Sequence, residues 1–253
     1  MIIKKEINRK IFIFYGNSGT GKTLITQLLS FNKSTTDIYD NLEEKERSFI
    51  VNNVNDMLTD MKEIGLVPCT KLVTCTTRKK REYETDGIDY HFYNDKMQFL
   101  EDYYKGDIIE YTKYLNNYYG TPKKSIDKAL LSNKNIALVL EKNGVEKFKE
   151  LYPDKVVAIY LENNFEVLKE RLKKRKDSEE KIQERIDGLD IDATCESGLS
   201  NYIINSDRLD LVMLQLLMIM FWECIVNSEN FAGYQSKSKK LTNYDLLLKR
   251  KQG

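Results

Sequence analysis

The chain alternates short, mostly apolar runs with segments in which apolar residues recur at helical spacing. Apolar runs of strand length, bounded by polar residues, are typical of parallel strands buried on both faces. They occur at residues 11–14, 71–75, 108–111, 135–140, 155–161 and 202–205. After the first run, Leu24, Ile25, Leu28 and Leu29 are spaced as on one helix face. The alternation predicts an α/β fold with a parallel sheet core and flanking helices.

Other segments have helix or turn patterns. Residues 42–64 are amphipathic, which predicts an extra packed helix; a mobile cover or a subunit contact is the alternative. Residues 165–176 predict a basic helix, and 177–180 open another with a capping-box pattern. A tight turn is predicted at 117–121, followed by a helix that starts with Thr at the cap and Pro at its first position.

Residues 209–226 are the most apolar segment of the chain. Gln215 and Glu223 interrupt it, so it falls short of the roughly 20 uninterrupted apolar residues that span a bilayer. We expect a core helix that closes the sheet, with a membrane or oligomer contact as the alternative.

Composition narrows the class of protein. The 253 residues suffice for one large domain, and 40 Lys and Arg against 39 Asp and Glu give a net charge of +1. No basic field favours nucleic acid or an anionic membrane as partner. The four cysteines lack metal-ligand spacing and there is one histidine, so a zinc site is not expected. Reduced cysteines and a polar start without a secretory signal favour a cytoplasmic protein.

Residues 16–23 fit the phosphate-loop pattern G-x-x-x-x-G-K-[ST], between a predicted strand and a predicted helix. Glycines let backbone N–H groups approach a polyphosphate, and the helix N-terminus adds partial positive charge. Lys22 is predicted to contact the β- and γ-phosphates and Thr23 a Mg²⁺ ion. The predicted ATP-binding residues of the loop are Gly16, Asn17, Ser18, Gly19, Thr20, Gly21, Lys22 and Thr23.

A second group of residues suits an acceptor with a monophosphate. Arg78 and Arg81 leave one predicted strand, with Tyr90 nearby, and guanidinium groups match phosphate oxygens. Taken alone, this basic run is also typical of a solvated turn. A buried Glu110 carboxylate could accept hydrogen bonds from the N1–H and N2–H groups of guanine, a donor pair that adenine lacks. Glu141 follows the run 135–140, at a strand end where ligands gather in open α/β sheets.

The basic helices near residues 165–190 carry three further arginines. Arg171 and Arg175 lie one turn apart on the first helix, and Arg185 lies on the second. Two charged helices joined by a short turn could form a lid that brings arginines over a transferring phosphate. An ordinary exposed helical hairpin has the same charge pattern, so the alternative stays open.

In this order, these segments resemble the guanylate kinase family over about residues 10–206. The resembling stretches are GNSGTGKT, TTRKKR, GIDYHF, DIIEY, NNYYGT, ERLKKRKDSEEKIQERI and YIINSD. The resemblance implies a P-loop NTPase-like parallel sheet core with flanking helices, a small region that binds the nucleoside monophosphate, and a helical lid. It also implies ATP as donor, Mg²⁺, and GMP or dGMP as acceptor.

The resemblance also assigns roles. Lys22, Arg78, Arg171, Arg175 and Arg185 would be catalytic. Asn205 would approach the adenine of ATP. The residues that would bind GMP are Thr74, Arg78, Arg81, Tyr90, Glu110, Tyr119, Thr121 and Glu141.

The resemblance predicts one domain over 1–227 and a C-terminal extension over 228–253. The domain would comprise a core, an acceptor-binding region at about 76–121 and a helical insertion at about 31–66. The core segments are 8–30, 67–75 and 122–227, with the lid at about 165–190.

The sequence departs from the family pattern at several positions. The arginine motif lacks the usual Pro and Gly-Glu. Val139 replaces the first of two usual aspartates and Glu141 stands at the second, which changes the expected magnesium site. Residues 31–66 are longer than the usual connection, and the segment beyond about 227 is an addition.

The sequence therefore predicts ATP- and Mg²⁺-dependent phosphorylation of GMP or dGMP, in line and without a covalent intermediate. One alternative is a kinase of the same fold that acts on another phosphate, such as a ribosyl bisphosphate. Another is a non-catalytic guanylate-kinase-like module that binds proteins, although such modules usually have degraded phosphate loops. The expected partners are small molecules and neither nucleic acid nor a membrane, with a monomer or homodimer as the assembly.

Overall fold

The computed structural model describes residues 7–31, 44–82, 84–114, 116–173, 179–187 and 198–226. Within these ranges it forms nine strands and eight α-helices. The strands are β1 (Ile11–Tyr15), β2 (Thr70–Lys71), β3 (Cys75–Thr76), β4 (His91–Phe92), β5 (Ile108–Tyr114), β6 (Asn117–Pro122), β7 (Ile136–Val139), β8 (Val156–Glu162) and β9 (Tyr202–Asn205). The helices are α1 (Lys22–Leu29), α2 (Glu44–Glu63), α3 (Lys96–Tyr104), α4 (Lys123–Leu130), α5 (Lys142–Leu151), α6 (Phe165–Lys173), α7 (Glu179–Asp187) and α8 (Leu209–Phe221).

A five-stranded sheet with the order β2-β7-β1-β8-β9 forms the core, and all its pairings are parallel. Strand β1 is buried at every position, since it pairs with β7 and β8 and is covered on both faces. The carboxyl ends of all five strands therefore meet along one edge, where the phosphate loop follows β1. The predicted α/β class with a parallel sheet and flanking helices is confirmed.

A second sheet with the order β4-β3-β6-β5 lies within the segment predicted to bind the acceptor. Its β3–β4 pair is parallel, whereas β6 runs antiparallel to both β3 and β5. Helix α3 packs on this sheet through the fully buried Phe99, whose ring stacks on Tyr118 with centroids 5.5 Å apart.

Three element predictions were wrong in detail. The run 71–75 is split between β2 and β3, because the chain leaves one sheet there and enters the other. Residues 117–121 form strand β6 and not a tight turn; the reversal occurs one residue earlier, at Asn116 with φ 60°. Helix α4 begins at Lys123, with Pro122 in extended conformation at its cap, because the Thr121 side chain bonds elsewhere.

The amphipathic segment at 42–64 forms α2, which packs against α8. Val54, Leu58 and Met61 on its inner face are buried in the same cluster as β1 and α8. The prediction of an extra packed helix is therefore confirmed for the described part of this segment. The predicted lid residues 174–178 and the segment from 227 onward lie outside the described residues.

The apolar segment at 209–226 forms α8 and a following turn of π-helix, Trp222–Val226. By length and composition, Leu209–Val226 is one helical segment of the described chain that could cross a membrane. Six of its side chains are nevertheless fully buried against α2 and the sheet, as expected for a core helix: Val212, Met213, Leu216, Ile219, Met220 and Cys224.

Candidate active site

The loop between β1 and α1 curls around the ammonium group of Lys22. Lys22 Nζ donates to the carbonyl oxygens of Gly16 at 2.6 Å and Asn17 at 2.7 Å. Gly16 has φ 130°, and a Cβ there would collide with the Leu161 carbonyl oxygen of β8. Gly21 has φ 90° and caps α1. These conformations favour glycine, so the backbone curvature that a polyphosphate needs is built into the sequence.

Oxygen donors that suit Mg²⁺ stand at two points of the same edge. Thr23 lies exposed in the first turn of α1, and Glu141 lies exposed at the N-cap of α5, directly after β7. Val139, the last residue of β7, supplies no oxygen ligand from its side chain. Hydroxyl and carboxylate oxygens are the ligands that Mg²⁺ prefers, so the donor set fits the ion, with one carboxylate fewer than two aspartates would give.

Arg171 connects α6, the first helix of the predicted lid, to the phosphate loop and to the residues that follow β9. Its Nη2 donates to the carbonyl oxygens of Ser206 at 3.0 Å and Asp207 at 2.9 Å, and its Nη1 to that of Gly19 at 3.5 Å. Burial lowers the pKa of the Arg171 guanidinium, and the nearby Asp207 carboxylate counteracts this shift. Three carbonyl oxygens thereby hold a second cation at the phosphate loop.

Three further residues were predicted on the ATP side: Asn205, Arg175 and Arg185. Asn205 ends β9 with an exposed side chain, and its Oδ1 accepts from the Asp207 amide at 3.0 Å. Arg175 lies outside the described residues. Arg185 lies within α7, but its side chain is outside the described part of the chain.

On the acceptor side, Glu84 holds Arg78 in a two-point ion pair. The distances are 2.7 Å from Nη2 to Oε1 and 3.0 Å from Nη1 to Oε2. The Arg81 amide donates to the same carboxylate at 2.8 Å, and the Arg81 guanidinium lies 3.9 Å from it. Burial alone would raise the pKa of Glu84, but the hydrogen bond from Arg78 and the other contacts lower it. Glu84 thus stays ionised and orients both arginines.

Two aromatic rings pack around the Arg78 guanidinium. Its Cζ lies 5.5 Å from the ring centroid of Tyr90 and 5.8 Å from that of Phe92, within cation–π range. The Tyr119 ring meets that of Tyr90 edge-on, with centroids 6.2 Å apart. The sequence-predicted residues Arg78, Arg81, Tyr90 and Tyr119 are therefore brought together around one carboxylate.

Glu110 is a buried carboxylate on β5, and it faces helix α5. It is 7% exposed, and Thr121 Oγ1 on the neighbouring strand β6 donates to its Oε1 at 2.5 Å. Burial raises the pKa of Glu110 to about 7; the Thr121 hydrogen bond opposes the shift and the Glu141 charge adds to it. Burial has removed most of the water that would solvate this carboxylate, so hydrogen bonds from the N–H donors of a ligand would stabilise its ionised form.

Gly144 on α5 provides the space that the Glu110 carboxylate occupies. A Cβ at position 144 would lie 2.9 Å from Glu110 Oε2 and 3.1 Å from Leu140 Cβ, both closer than ordinary van der Waals contact. The core helix α5 thus touches the acceptor-region strand β5 through this carboxylate. Thr74, the remaining acceptor-side prediction, is half-buried just before β3, and its carbonyl accepts from the His91 amide.

Sequence reasoning missed two of these residues. The family pattern does not single out Glu84, because the arginine motif here lacks the usual Gly-Glu; the signal that could have found it is a carboxylate three residues after Arg81. No sequence signal identifies Gly144, because the reason for a glycine inside a helix becomes visible only when the side chain that packs against it is known.

Comparison with known proteins gives a consistent family match. The model of the guanylate kinase family matches residues 52–223. The guanylate kinase of Mycoplasma genitalium is 32% identical over 231 residues, which cover 89% of this chain and 81% of that protein. The guanylate kinase of Malacoplasma penetrans is 30% identical over 208 residues, covering 81% of this chain and 89% of that protein.

One solved structure supports the fold. The crystal structure of guanylate kinase from Anaplasma phagocytophilum superposes with a TM-score of 0.53 and 20% sequence identity, and covers 87% of both chains. At this level of identity, the similarity concerns the chain fold alone.

Proposed function

Because the chain belongs to the guanylate kinase family, we propose that it transfers the γ-phosphoryl group of ATP to GMP, giving ADP and GDP. The observation that carries the proposal is the buried Glu110 carboxylate, to which the Thr121 hydroxyl donates a hydrogen bond. A carboxylate accepts the N1–H and N2–H donors of guanine, whereas adenine would leave it desolvated and unpaired.

The catalytic work assigned to the protein is alignment and charge compensation. The acceptor phosphate is already anionic, so no general base is needed for its attack. Two anionic nucleotides repel each other, and cations on both sides offset that repulsion: Lys22 and Arg171 on the donor side, Arg78 and Arg81 on the acceptor side. Arg175 and Arg185 stay predicted members of this set. Closure of the α6–α7 lid would exclude water and suppress ATP hydrolysis.

Magnesium would be held by the Thr23 hydroxyl together with the ATP phosphates. Glu141 is the carboxylate that we assign to the support of this ion. When bound, the ion neutralises charge on the β- and γ-phosphates. Since Val139 provides no ligand, we expect this enzyme to hold Mg²⁺ chiefly through ATP. The residues Gly16 to Thr23 of the loop enclose the phosphates, and Asn205 contacts the adenine.

Finer assignments follow from the same residues. The residues assigned to the acceptor bind its base and its phosphate, and none is assigned to its sugar, so we propose that GMP and dGMP are both accepted. The three described cysteines are buried free thiols, which suits a reducing cytoplasm.

An ADP-release assay across the common nucleoside monophosphates tests the proposal. We expect GMP and dGMP to exceed AMP, CMP and UMP by about 100-fold or more in kcat/KM. Turnover of a ribosyl bisphosphate instead of GMP would favour the kinase alternative. Calorimetry with ATP, with and without Mg²⁺, tests the non-catalytic alternative, for which no ATP binding is expected.

The raised pKa of Glu110 predicts a pH-dependent affinity for GMP. Only the ionised carboxylate accepts both guanine donors, and ionisation is complete only above its pKa of about 7. The KM for GMP should therefore rise about fivefold as pH falls from 7 to 6, with the KM for ATP almost constant. Because the GMP phosphate also titrates near pH 6, the Glu110→Gln variant serves as the control. A wild-type profile as flat as that of the control would contradict the assignment.

A methyl group at position 144 should weaken GMP binding without unfolding the protein. Gly144→Ala is expected to raise the KM for GMP about tenfold, because the new Cβ displaces Glu110 Oε2. Alanine in a helix is favoured over glycine by ~1 kcal/mol, so thermal stability should not fall in parallel. The matched control is Gly198→Ala, where a Cβ meets nothing within 4 Å. An unchanged KM in Gly144→Ala would show that the carboxylate is not constrained there.

A further inference from the structure

Helix α8 has two apolar faces on opposite sides. One face enters the core, as described above. The other carries four apolar residues spaced alternately three and four apart, which places them on one stripe of a helix. We name this set the outer stripe: Leu211, Leu214, Met218 and Phe221.

The outer stripe is accessible to solvent over its length. Leu211, Leu214 and Phe221 are 43%, 41% and 43% exposed, and Met218 is half-buried. Isolated exposed apolar residues are common on protein surfaces, but a contiguous stripe at seam spacing marks a contact surface. A helix that is apolar on every side is expected to be covered on every side.

We infer that the outer stripe binds the segment 241–248 of this same chain, LTNYDLLL. Leu241, Tyr244 and Leu248 repeat the three-and-four spacing of the stripe, so they could form one apolar face that pairs with it. The segment also lies beyond residue 223, where the family match ends, as expected of an addition that covers a surface of its own protein.

The chain is long enough to return to the stripe. The distance along the helix from Leu211 to Phe221 is about 15 Å at 1.5 Å per residue. Residues 227–240 join the end of the described helical segment to Leu241 and can span about 45 Å when extended. This connection is mostly polar, so it places the apolar segment near its target at high effective concentration.

The experiment uses two tail variants that add the same negative charge on opposite sides of the pairing segment. Leu248→Asp places it on the apolar face, and Asn243→Asp places it about 140° away from Leu248 at helical spacing. The reporter is Trp222, which is half-buried, follows Phe221 and is the one tryptophan of the sequence. Activity with GMP and ATP confirms that each variant is folded.

We expect Leu248→Asp to shift the Trp222 emission to longer wavelength and to make the protein self-associate in light scattering, since the stripe is uncovered. Asn243→Asp should match the unmodified chain, which should be monomeric. Leu214→Ser, from the stripe side, should reduce thermal stability, and its effect should be less than additive with Leu248→Asp if the two groups touch. Equal emission of the two tail variants would overturn the inference. So would an unmodified chain that is a dimer and becomes monomeric in Leu214→Ser, because the stripe would then bind a second copy.

Discussion

Replacing Lys22 with alanine is expected to reduce kcat by about 1,000-fold or more. The Lys22 ammonium bonds to the carbonyl oxygens of Gly16 and Asn17, so the loop itself holds the cation at the turn between β1 and α1. Removal of a preorganised charge from a phosphoryl-transfer site has effects of this size, because no solvent cation can replace it in a fixed position.

The structural consequences of Lys22→Ala should be small. The two carbonyl oxygens that lose a donor belong to a half-buried loop and can bond to water. The thermal unfolding midpoint should therefore stay close to that of the unmodified protein. Lys128→Ala, which removes one exposed lysine from α4, is the matched control for net charge. Turnover of Lys22→Ala within threefold of Lys128→Ala would refute the role of the loop in transfer.

The core sheet could be predicted from sequence because each of its longer strands is a continuous run of mostly apolar residues. The run at 11–14 has no polar residue, and β9 was predicted at its observed bounds, 202–205. The second sheet is harder to predict, because its strands β3 and β4 have two residues each and depend on partners from distant segments. The tyrosines of β6 resembled a turn since Asn and Gly flank them, and only pairing with β5 makes them a strand.

For the site, the motif fixed the position of Lys22, but distances between separate segments could not be inferred. Glu84 is six residues from Arg78, and their two-point ion pair depends on a turn that the sequence pattern does not specify. The contact between Gly144 and Glu110 joins residues 34 positions apart on different elements. Burial of Glu110, on which its raised pKa depends, likewise becomes known only from the packing of α5 against β5.

Replacing Glu110 with glutamine is expected to lower kcat/KM for GMP by about 100-fold, while the KM for ATP changes little. Glutamine keeps one carbonyl oxygen that can still accept from Thr121, but it removes the charge that both guanine donors need. The loss of charge-assisted hydrogen bonds from a buried site corresponds to ~2–3 kcal/mol. Glu146→Gln, an exposed substitution of the same kind on α5, is the matched control.

The stability of Glu110→Gln should change in the opposite direction to its activity. The folded protein raises the pKa of Glu110 from 4.5 to about 7, so folding disfavours the ionised form. This penalty is absent below pH 4.5, develops between pH 4.5 and 7, and is complete above pH 7. Relative to the unmodified protein, the glutamine variant should therefore gain stability between pH 5 and pH 8 in thermal unfolding. If Glu110→Gln loses GMP affinity and gains stability at pH 8, the carboxylate serves ligand binding. Replacement of a purely structural residue would lower both affinity and stability. Equal loss of affinity for GMP and ATP, or a loss of stability at pH 8, would contradict this role for Glu110.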